Sequence, residues 1–207
     1  LRLLVLDVDS TLITAEVIEL IAEHAGTRAE VARITEAAMR GELDFAASLK
    51  ERVATLAGVP ASVFGEVLQQ VEFSPGTPQL VEAAQAAGWE VALVSGGFLE
   101  IVEPLAQTLG ITRFRANRLE VANGRLTGRT VGPVIDAEAK AVALRDFAAE
   151  LGVALEDTAA IGDGANDLEM MAIAGFSIAF NAKPVVRDRA DAAIDGRLDA
   201  AVPLLGL

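Results

Sequence analysis

The run Leu3-Leu4-Val5-Leu6 is apolar at every position and passes directly into Asp7-Val8-Asp9-Ser10-Thr11. A strand that ends in two carboxylates one residue apart is costly to bury unless a cation or a reaction needs them there. Side chains at i and i+2 lie on the same side while a chain stays extended. The spacing therefore predicts that Asp7 and Asp9 converge on one centre. Hard oxygen ligands suit Mg²⁺, which would offset the mutual repulsion of the pair. One carboxylate could then act as nucleophile and the other as proton donor. Taken alone, the same residues also read as a strand-terminating turn, since Asp and Ser are common turn formers.

Two further segments share this design. Thr158-Ala159-Ala160-Ile161-Gly162-Asp163-Gly164-Ala165-Asn166-Asp167 is an apolar strand ending in acids, with Gly162 and Gly164 allowing a tight turn and Leu168 to Ala172 reading as the next helix. Glu90 to Val94 reads as a strand ending in Ser95-Gly96-Gly97, where a hydroxyl and backbone amides before a helix make an anion site. Neither glycine-rich loop has the spacing of a dinucleotide fingerprint or a Walker loop. Strands near 2–8, 90–94, 158–161 and 177–180 alternate with helical stretches, which predicts a mostly parallel sheet with helices on both faces. Ligands of such sheets bind beyond the carboxyl ends of the strands, where Asp7, Ser95 and Asp163 all fall.

Between Ile13 and Phe73 the signals are helical. Thr27-Arg28-Ala29-Glu30 reads as a capping box, Gly41 as the end of that helix, and Asp44 as the cap of the next. Gly58 ends that helix before Pro60 starts another. Ser74-Pro75-Gly76-Thr77-Pro78 marks the return to the sheet. Arg118 to Thr130 reads as a hairpin with Asn123-Gly124 at its tip. Asp136 is a candidate N-cap that would bring Lys140 near the sheet edge. Phe45 and Arg52, seven residues apart on one expected helix, project from nearly the same face.

Composition excludes several functions. With 17 basic and 30 acidic residues the net charge is −13, which argues against a nucleic-acid or anionic-membrane surface and means that an anionic substrate needs locally concentrated positive charge. The chain has no cysteine, so neither disulfides nor thiol chemistry contribute. No apolar run approaches a membrane span and no signal peptide precedes the first strand, so a soluble cytoplasmic protein is expected. The start at Leu1, without Met and almost inside a strand, leads us to expect residues upstream, with room for a regulatory domain. A homodimer is left open.

In order and spacing, the segments Asp7-Val8-Asp9-Ser10-Thr11, Ser95-Gly96-Gly97, Lys140 and Gly162 to Asp167 resemble the haloacid dehalogenase superfamily, and within it the phosphoserine phosphatases. Glu16, Met39, Phe45 and Arg52 fall where that subfamily places substrate-recognition residues. The resemblance covers essentially the whole chain. Val8 stands where phenylalanine is more usual, and its side chain should point away from the site.

The resemblance implies an α/β fold with a doubly wound, mostly parallel Rossmann-like core (1–12 and 74–207) and a small helical cap domain (13–73). It implies a Mg²⁺-dependent phosphoric monoester hydrolase that cleaves O-phospho-L-serine through a phosphoaspartate, the last step of serine biosynthesis. Asp7 would be the nucleophile and Asp9 the acid, then base. The metal would sit on Asp7, the backbone carbonyl of Asp9, and Asp163, with Asp167 orienting metal-bound water from behind. Ser95, the Gly96 amide and Lys140 would hold phosphoryl oxygens, and Asn166 would position the substrate or Lys140. In the cap, Arg52 would pair with the substrate carboxylate, Glu16 would accept its ammonium, and Phe45 would shield the site from water. Met39 reads as packing, the single histidine, His24, as structural or surface, and Asp188, Asp191, Asp195 and Asp199 as solvated charges.

Three rivals stand beside this reading: a related phosphatase or phosphotransferase for another small phosphomonoester such as phosphohomoserine, a receiver-type phospho-acceptor domain without turnover, and a purely structural α/β protein.

Overall fold

The computed structural model describes residues 2–207; Leu1, the first residue of the expected core, lies outside them. The strands are β1 (Arg2–Leu6), β2 (Trp89–Phe98), β3 (Arg113–Ala122), β4 (Arg125–Val131), β5 (Thr158–Gly162), β6 (Phe176–Phe180) and β7 (Ala192–Ile194). They form one sheet in the order β4-β3-β2-β1-β5-β6-β7, parallel throughout except for the antiparallel β3–β4 pair. The apolar run is the central strand. Its alternation sends Leu4 and Leu6 into one core layer and Leu3 and Val5 into the other, all four fully buried. Each such side chain contributes about 1.5–3 kcal/mol of burial, so a polar replacement at any one of them would weaken the layer it faces.

Helices α1 (Val17–Ala25), α2 (Arg28–Met39), α3 (Phe45–Ala54) and α4 (Val63–Gln70) form a unit between β1 and α5 (Thr77–Ala86). The remaining helices are α6 (Leu99–Thr108), α7 (Ala137–Leu151), α8 (Leu168–Ile173), α9 (Pro184–Arg187) and α10 (Ala201–Leu205). On one face, α5 and α6 pack Leu80, Val81, Ile101 and Leu105 against Leu4 and Leu6. On the other, α7 and α8 pack Leu144, Phe147, Met170 and Met171 against Leu3 and Val5. Among the described residues no helix is long and apolar enough to cross a membrane.

The helical unit is joined to the sheet region at two places. Where the chain leaves and returns, Ile13 bridges Phe73, the Thr14 amide donates to the Glu72 carbonyl, and the Ser74 amide donates to the Leu12 carbonyl. At the back, Gly58–Ala61 lies along β4. The Gly58 amide donates to the Leu126 carbonyl (2.8 Å), the Leu126 amide to the Val59 carbonyl (2.8 Å), and the Ala61 amide to the Gly124 carbonyl (2.9 Å). Arg125 Nη1 adds a bond to the Gly58 carbonyl at 2.7 Å.

Several local expectations hold. Asp44 and Asp136 accept the amides of Ala47 and Ala139 as N-caps, worth about 1 kcal/mol each. Asn123 (φ 52°) and Gly124 (φ 73°) form the two-residue turn between β3 and β4, in the left-handed conformation such hairpins require. Others are corrected. Thr27 sits at the N-cap of α2 but makes no capping bond, because its hydroxyl meets Thr55 Oγ1 at 3.0 Å. The helix expected from Pro60 begins at Val63, since Pro60 bridges Arg125. Strand β2 does not stop at Val94 but continues to Phe98. Asp191 is no free surface charge: its Oδ2 accepts both the amide and the hydroxyl of Ser177. Asp195 and Asp199 pair with Arg187 and Arg197.

Candidate active site

The site lies at the carboxyl ends of β1, β2 and β5, where neighbouring strands run to opposite sides of the sheet order, beneath the helical unit. Beyond Leu6 the chain bends rather than staying extended. Val8–Leu12 form one wide turn closed by the Ile13 amide on the Val8 carbonyl at 3.1 Å, with Ser10 in the left-handed region (φ 59°). Asp7 and Asp9 still line the same cavity, so their convergence comes from this turn and not from strand alternation. Val8 is wholly buried in the core, turned from the site as expected.

Asp7, Asp163 and Asp167 each offer a carboxylate oxygen, all within 4.8 Å of one another, and all three residues are buried. Lys140 is completely buried and donates to Asp7 Oδ1 and, at 2.7 Å, to Asp167 Oδ1. Asp167 Oδ2 accepts the amides of Asp163 and Gly164, both at 3.1 Å. Both Asp167 oxygens are thus committed to protein donors, whereas Asp163 Oδ1 receives only the Thr11 hydroxyl (3.1 Å). This chemistry makes Asp7 and Asp163 the available hard-oxygen donors and Asp167 their organiser.

The glycines of these loops provide room for close approach. Neither Gly162 nor Gly164 has a positive φ, contrary to the tight-turn expectation. A side chain at Gly162 would overlap Asp167, and one at Gly164 would lie 2.6 Å from Met39 Sδ. Met39 therefore packs the helical unit onto the acidic loop. Gly96 is likewise covered by the Phe45 ring, whose Cζ would be 2.5 Å from an added Cβ. The Ser95 side chain is fully buried and accepts the Gly97 amide at 2.8 Å, so that amide is not free for an anion. Gly96 and Gly97 both line the cavity, and only the Gly96 amide is left without this internal partner.

Over this floor, Glu16, Met39, Phe45, Leu49 and Arg52 close a cavity of about 20 Å³, room for little more than one water. Arg52 is 2% exposed and its guanidinium sits 5.7 Å from the Phe45 ring centroid, on the shared helix face expected from their spacing. Its Nη1 donates to Thr35 Oγ1 (2.9 Å) and its Nε to the Ser48 carbonyl (3.1 Å). Glu16 accepts the Ser10 hydroxyl at 2.6 Å. Asn166 also lines the cavity. Its Oδ1 and Asp9 Oδ1 are buried without a hydrogen-bond partner, which leaves two acceptor atoms for a ligand. His24 is elsewhere, at the end of α1 beside Glu66.

Five carboxylates (Asp7, Asp9, Glu16, Asp163, Asp167) share the site with two cations, Lys140 and Arg52. Burial, reinforced by Asp167, pushes the Asp7 carboxyl up to about 7 despite the opposing pull of Lys140. Burial also raises Asp9, with Glu16 and Asp7 adding to it, and Asp163, with Asp7 and Asp167 adding. Burial alone would lower Lys140, but the charges of Asp167 and Asp7 outweigh it and hold the ammonium protonated. An excess of ionisable oxygen ligands held in one buried cluster fits a hard divalent cation.

A model for the haloacid dehalogenase-like hydrolases matches residues 4–172, which include every one of these site residues. The chain belongs to this family. It is 53% identical over 207 residues to a phosphoserine phosphatase of Mycobacterium tuberculosis, covering 100% of this chain and 51% of that protein. It is 53% identical over 188 residues to the phosphoserine phosphatase of Streptococcus thermophilus, covering 91% and 87%. The chain therefore spans about half the length of the first relative and most of the second. The structure of a phospho-aspartyl intermediate analogue of phosphoserine phosphatase superimposes with a TM-score of 0.96 at 38% identity, covering 99% of this chain and 98% of that one.

Sequence reasoning missed the groups that hold the site residues in place. These are Thr35 against Arg52, Ser10 against Glu16, Thr11 against Asp163, and Asn117, described below. Of these, Ser10 and Thr11 were visible as hydroxyls beside the acids; Thr35 and Asn117 carried no local signal.

The electrostatics predict a pH-dependent response to metal. Asp7 holds its proton to about pH 7, well above the 3.8 of an ordinary aspartate. Its contribution to stability is therefore full below about pH 4 and is lost as pH rises through 7. A divalent cation competes with those protons. Added Mg²⁺ at a hundred times its dissociation constant should stabilise by about 2.7 kcal/mol, roughly 5–10 °C in Tm, at pH 8 and far less at pH 5. Calorimetric melting at both pH values checks this; a metal shift independent of pH would contradict it.

Proposed function

We propose that this chain is a Mg²⁺-dependent phosphatase acting on O-phospho-L-serine. The observation that carries the substrate assignment is the placing of Glu16 and Arg52, opposite in charge, on the wall of the cavity that holds Asp7 and Asp9. An α-amino acid presents an ammonium and a carboxylate from one carbon, which such a pair matches. The similarity to phosphoserine phosphatases supports the same reading. Residues 13–73 act as a cap domain on the core of 1–12 and 74–207.

In the first step the Asp7 carboxylate attacks phosphorus, forming an Asp7–phosphate bond as the bond from phosphorus to the serine oxygen breaks. Asp9, kept protonated by burial and by Glu16 and Asp7, gives its proton to that departing oxygen. In the second step Asp9 takes a proton from water as the water attacks phosphorus and frees Asp7. Lys140, charged and buried against Asp7, offsets negative charge that grows on the phosphoryl oxygens, and the Gly96 amide and Ser95 help to orient them. Asn166 Oδ1 has no protein partner and is placed to orient the substrate. Bound at Asp7, Asp163 and the Asp9 carbonyl, Mg²⁺ would neutralise charge shared between phosphate and carboxylates. Asp167 holds the acidic loop and Lys140 in register. Phe45, half-buried against Gly96, screens the cavity from bulk water.

The net charge of −13 supports a small-molecule substrate over nucleic acid or an anionic membrane. A cytoplasmic location belongs to the same proposal.

Phosphate release from a panel of small phosphomonoesters tests the assignment, with phosphoserine expected to be the best substrate. Arg52→Ala should lower kcat/KM for phosphoserine by roughly 10- to 150-fold, since a lost charged hydrogen bond costs about 1.5–3 kcal/mol. An aryl phosphate has no carboxylate to lose and should be affected much less. Equal losses on the two substrates would mean that Arg52 does not read an amino acid.

A further inference from the structure

Strands β2 and β3 pair in register from Ala92 to Val94, then resume only at Phe98 opposite Asn117. Across that gap β2 advances by four residues, Val94 to Phe98, and β3 by two, Arg115 to Asn117. Three residues, Ser95-Gly96-Gly97, therefore stand opposite the single Ala116, an excess of two that must bulge away from the ladder. Asn117 spans the bulge. Its side chain is 2% exposed; Nδ2 donates to the Gly96 carbonyl at 2.9 Å and Oδ1 accepts the Ile135 amide at 2.8 Å. The orientation of the amide is unambiguous, because a carbonyl needs a donor and an N–H needs an acceptor. Ile135 immediately precedes Asp136, the N-cap of α7, and α7 carries Lys140 one turn later.

We propose that Asn117 is the positioning residue of the phosphoryl subsite, fixing the Gly96 bulge and the Lys140 helix relative to each other through one buried amide. The proposal rests on the phosphatase reading above and adds to it a residue that touches neither substrate nor metal. Gly96 and Lys140 come from separate β-α units, and the Asn117 side chain is bonded to the approaches of both. The link bears on the phosphate alone: Glu16 and Arg52 belong to the helical unit, and their hydrogen bonds go to Ser10, Thr35 and Ser48 and not to Asn117.

Asn117→Asp keeps the acceptor for Ile135 but replaces the donor to Gly96 with an oxygen that repels its carbonyl. Asn117→Ala removes both bonds without adding charge. Losing the bond and stranding the Gly96 carbonyl should cost on the order of tenfold. With Mg²⁺ present, kcat/KM should fall by the same factor for phosphoserine and for an aryl phosphate. Calorimetric titration should show inorganic phosphate binding weakened to a similar degree, while inhibition by the product serine stays as in the unsubstituted enzyme. A residue that only stabilised the fold would lower Tm and leave phosphate affinity of the folded protein unchanged, and that result overturns the proposal. Failure of both variants to fold would also overturn it, since Asn117 would then be structural. If the unsubstituted chain releases phosphate from no monoester, it is the phosphatase reading that fails.

Discussion

Asp7→Asn should remove essentially all turnover while leaving a folded protein that still binds substrate. An amide is nearly isosteric with a carboxylate, and its oxygen can still accept the Lys140 ammonium that now meets Asp7 Oδ1. What is lost, on the mechanism proposed, is the negative oxygen that would attack phosphorus. The same substitution removes one of five carboxylates crowded around two cations, so it should not weaken the metal-free fold. Burial pushes Asp7 up to about 7, so above that pH the variant should melt no lower than the unsubstituted protein and may be compared with it directly. Labelling by a fluoride mimic of the phosphoryl group should fail in parallel. Substantial residual phosphatase activity would exclude covalent chemistry at Asp7.

Asp9→Asn should slow the reaction by roughly 10² to 10⁴, the usual worth of a positioned acid or base. The loss should depend on the leaving group. Serine is a poor leaving group and needs its oxygen protonated; an activated aryl oxygen does not. Asp9 Oδ1 is buried without a partner, and an added Cβ at Gly97 would lie 2.8 Å from Oδ2, so the carboxyl is held closely against the strand bulge. An amide fits that space but carries no transferable proton. Rates with phosphoserine and an aryl phosphate, measured side by side, check the assignment. Equal losses would make Asp9 a structural or metal-side residue.

The parts of this molecule that were legible in its sequence are those governed by neighbouring residues. The apolar strand Leu3–Leu6 and the apolar Thr158–Ile161 run both end in acids, and both became central parallel strands because nothing polar interrupts them. Asp44, Asp136 and Asn123-Gly124 act on amides or dihedrals within a few positions, so their signals survive without tertiary context. Thr27 shows the limit. Its capping pattern is intact, but a hydroxyl from Thr55, 28 residues on, competes for it. Strand β7 is three residues of alanine and isoleucine and has no pattern to detect. The reason for Gly162 was also hidden. Turn chemistry suggested backbone freedom, whereas the residue that needs the space is Asp167, which folds back over it. Asn117 and Thr35 are ordinary polar residues in sequence, and only the approach of distant chain segments gives them partners.

The back edge of the helical unit sets how the molecule can breathe. Gly58–Ala61 is stitched to β4 and the turn before it by three backbone bonds and the Arg125 side chain, and the crossing at Ile13 and Phe73 is also a backbone contact. The opposite edge is held by side chains: Phe45 over Gly96, Met39 over Gly164, and the Lys183–Glu36 pair at 2.9 Å, with Glu36 48% exposed. An exposed pair of that kind is worth about 0–1 kcal/mol. A cavity of about 20 Å³ admits no organic phosphate as it stands. The assembly is therefore a jaw with a stiff heel and a loose lip. On the proposed reading, Glu16 and Arg52 stand on the loosely held side and Asp7 and Asp9 on the sheet side, so opening the lip would part recognition from chemistry.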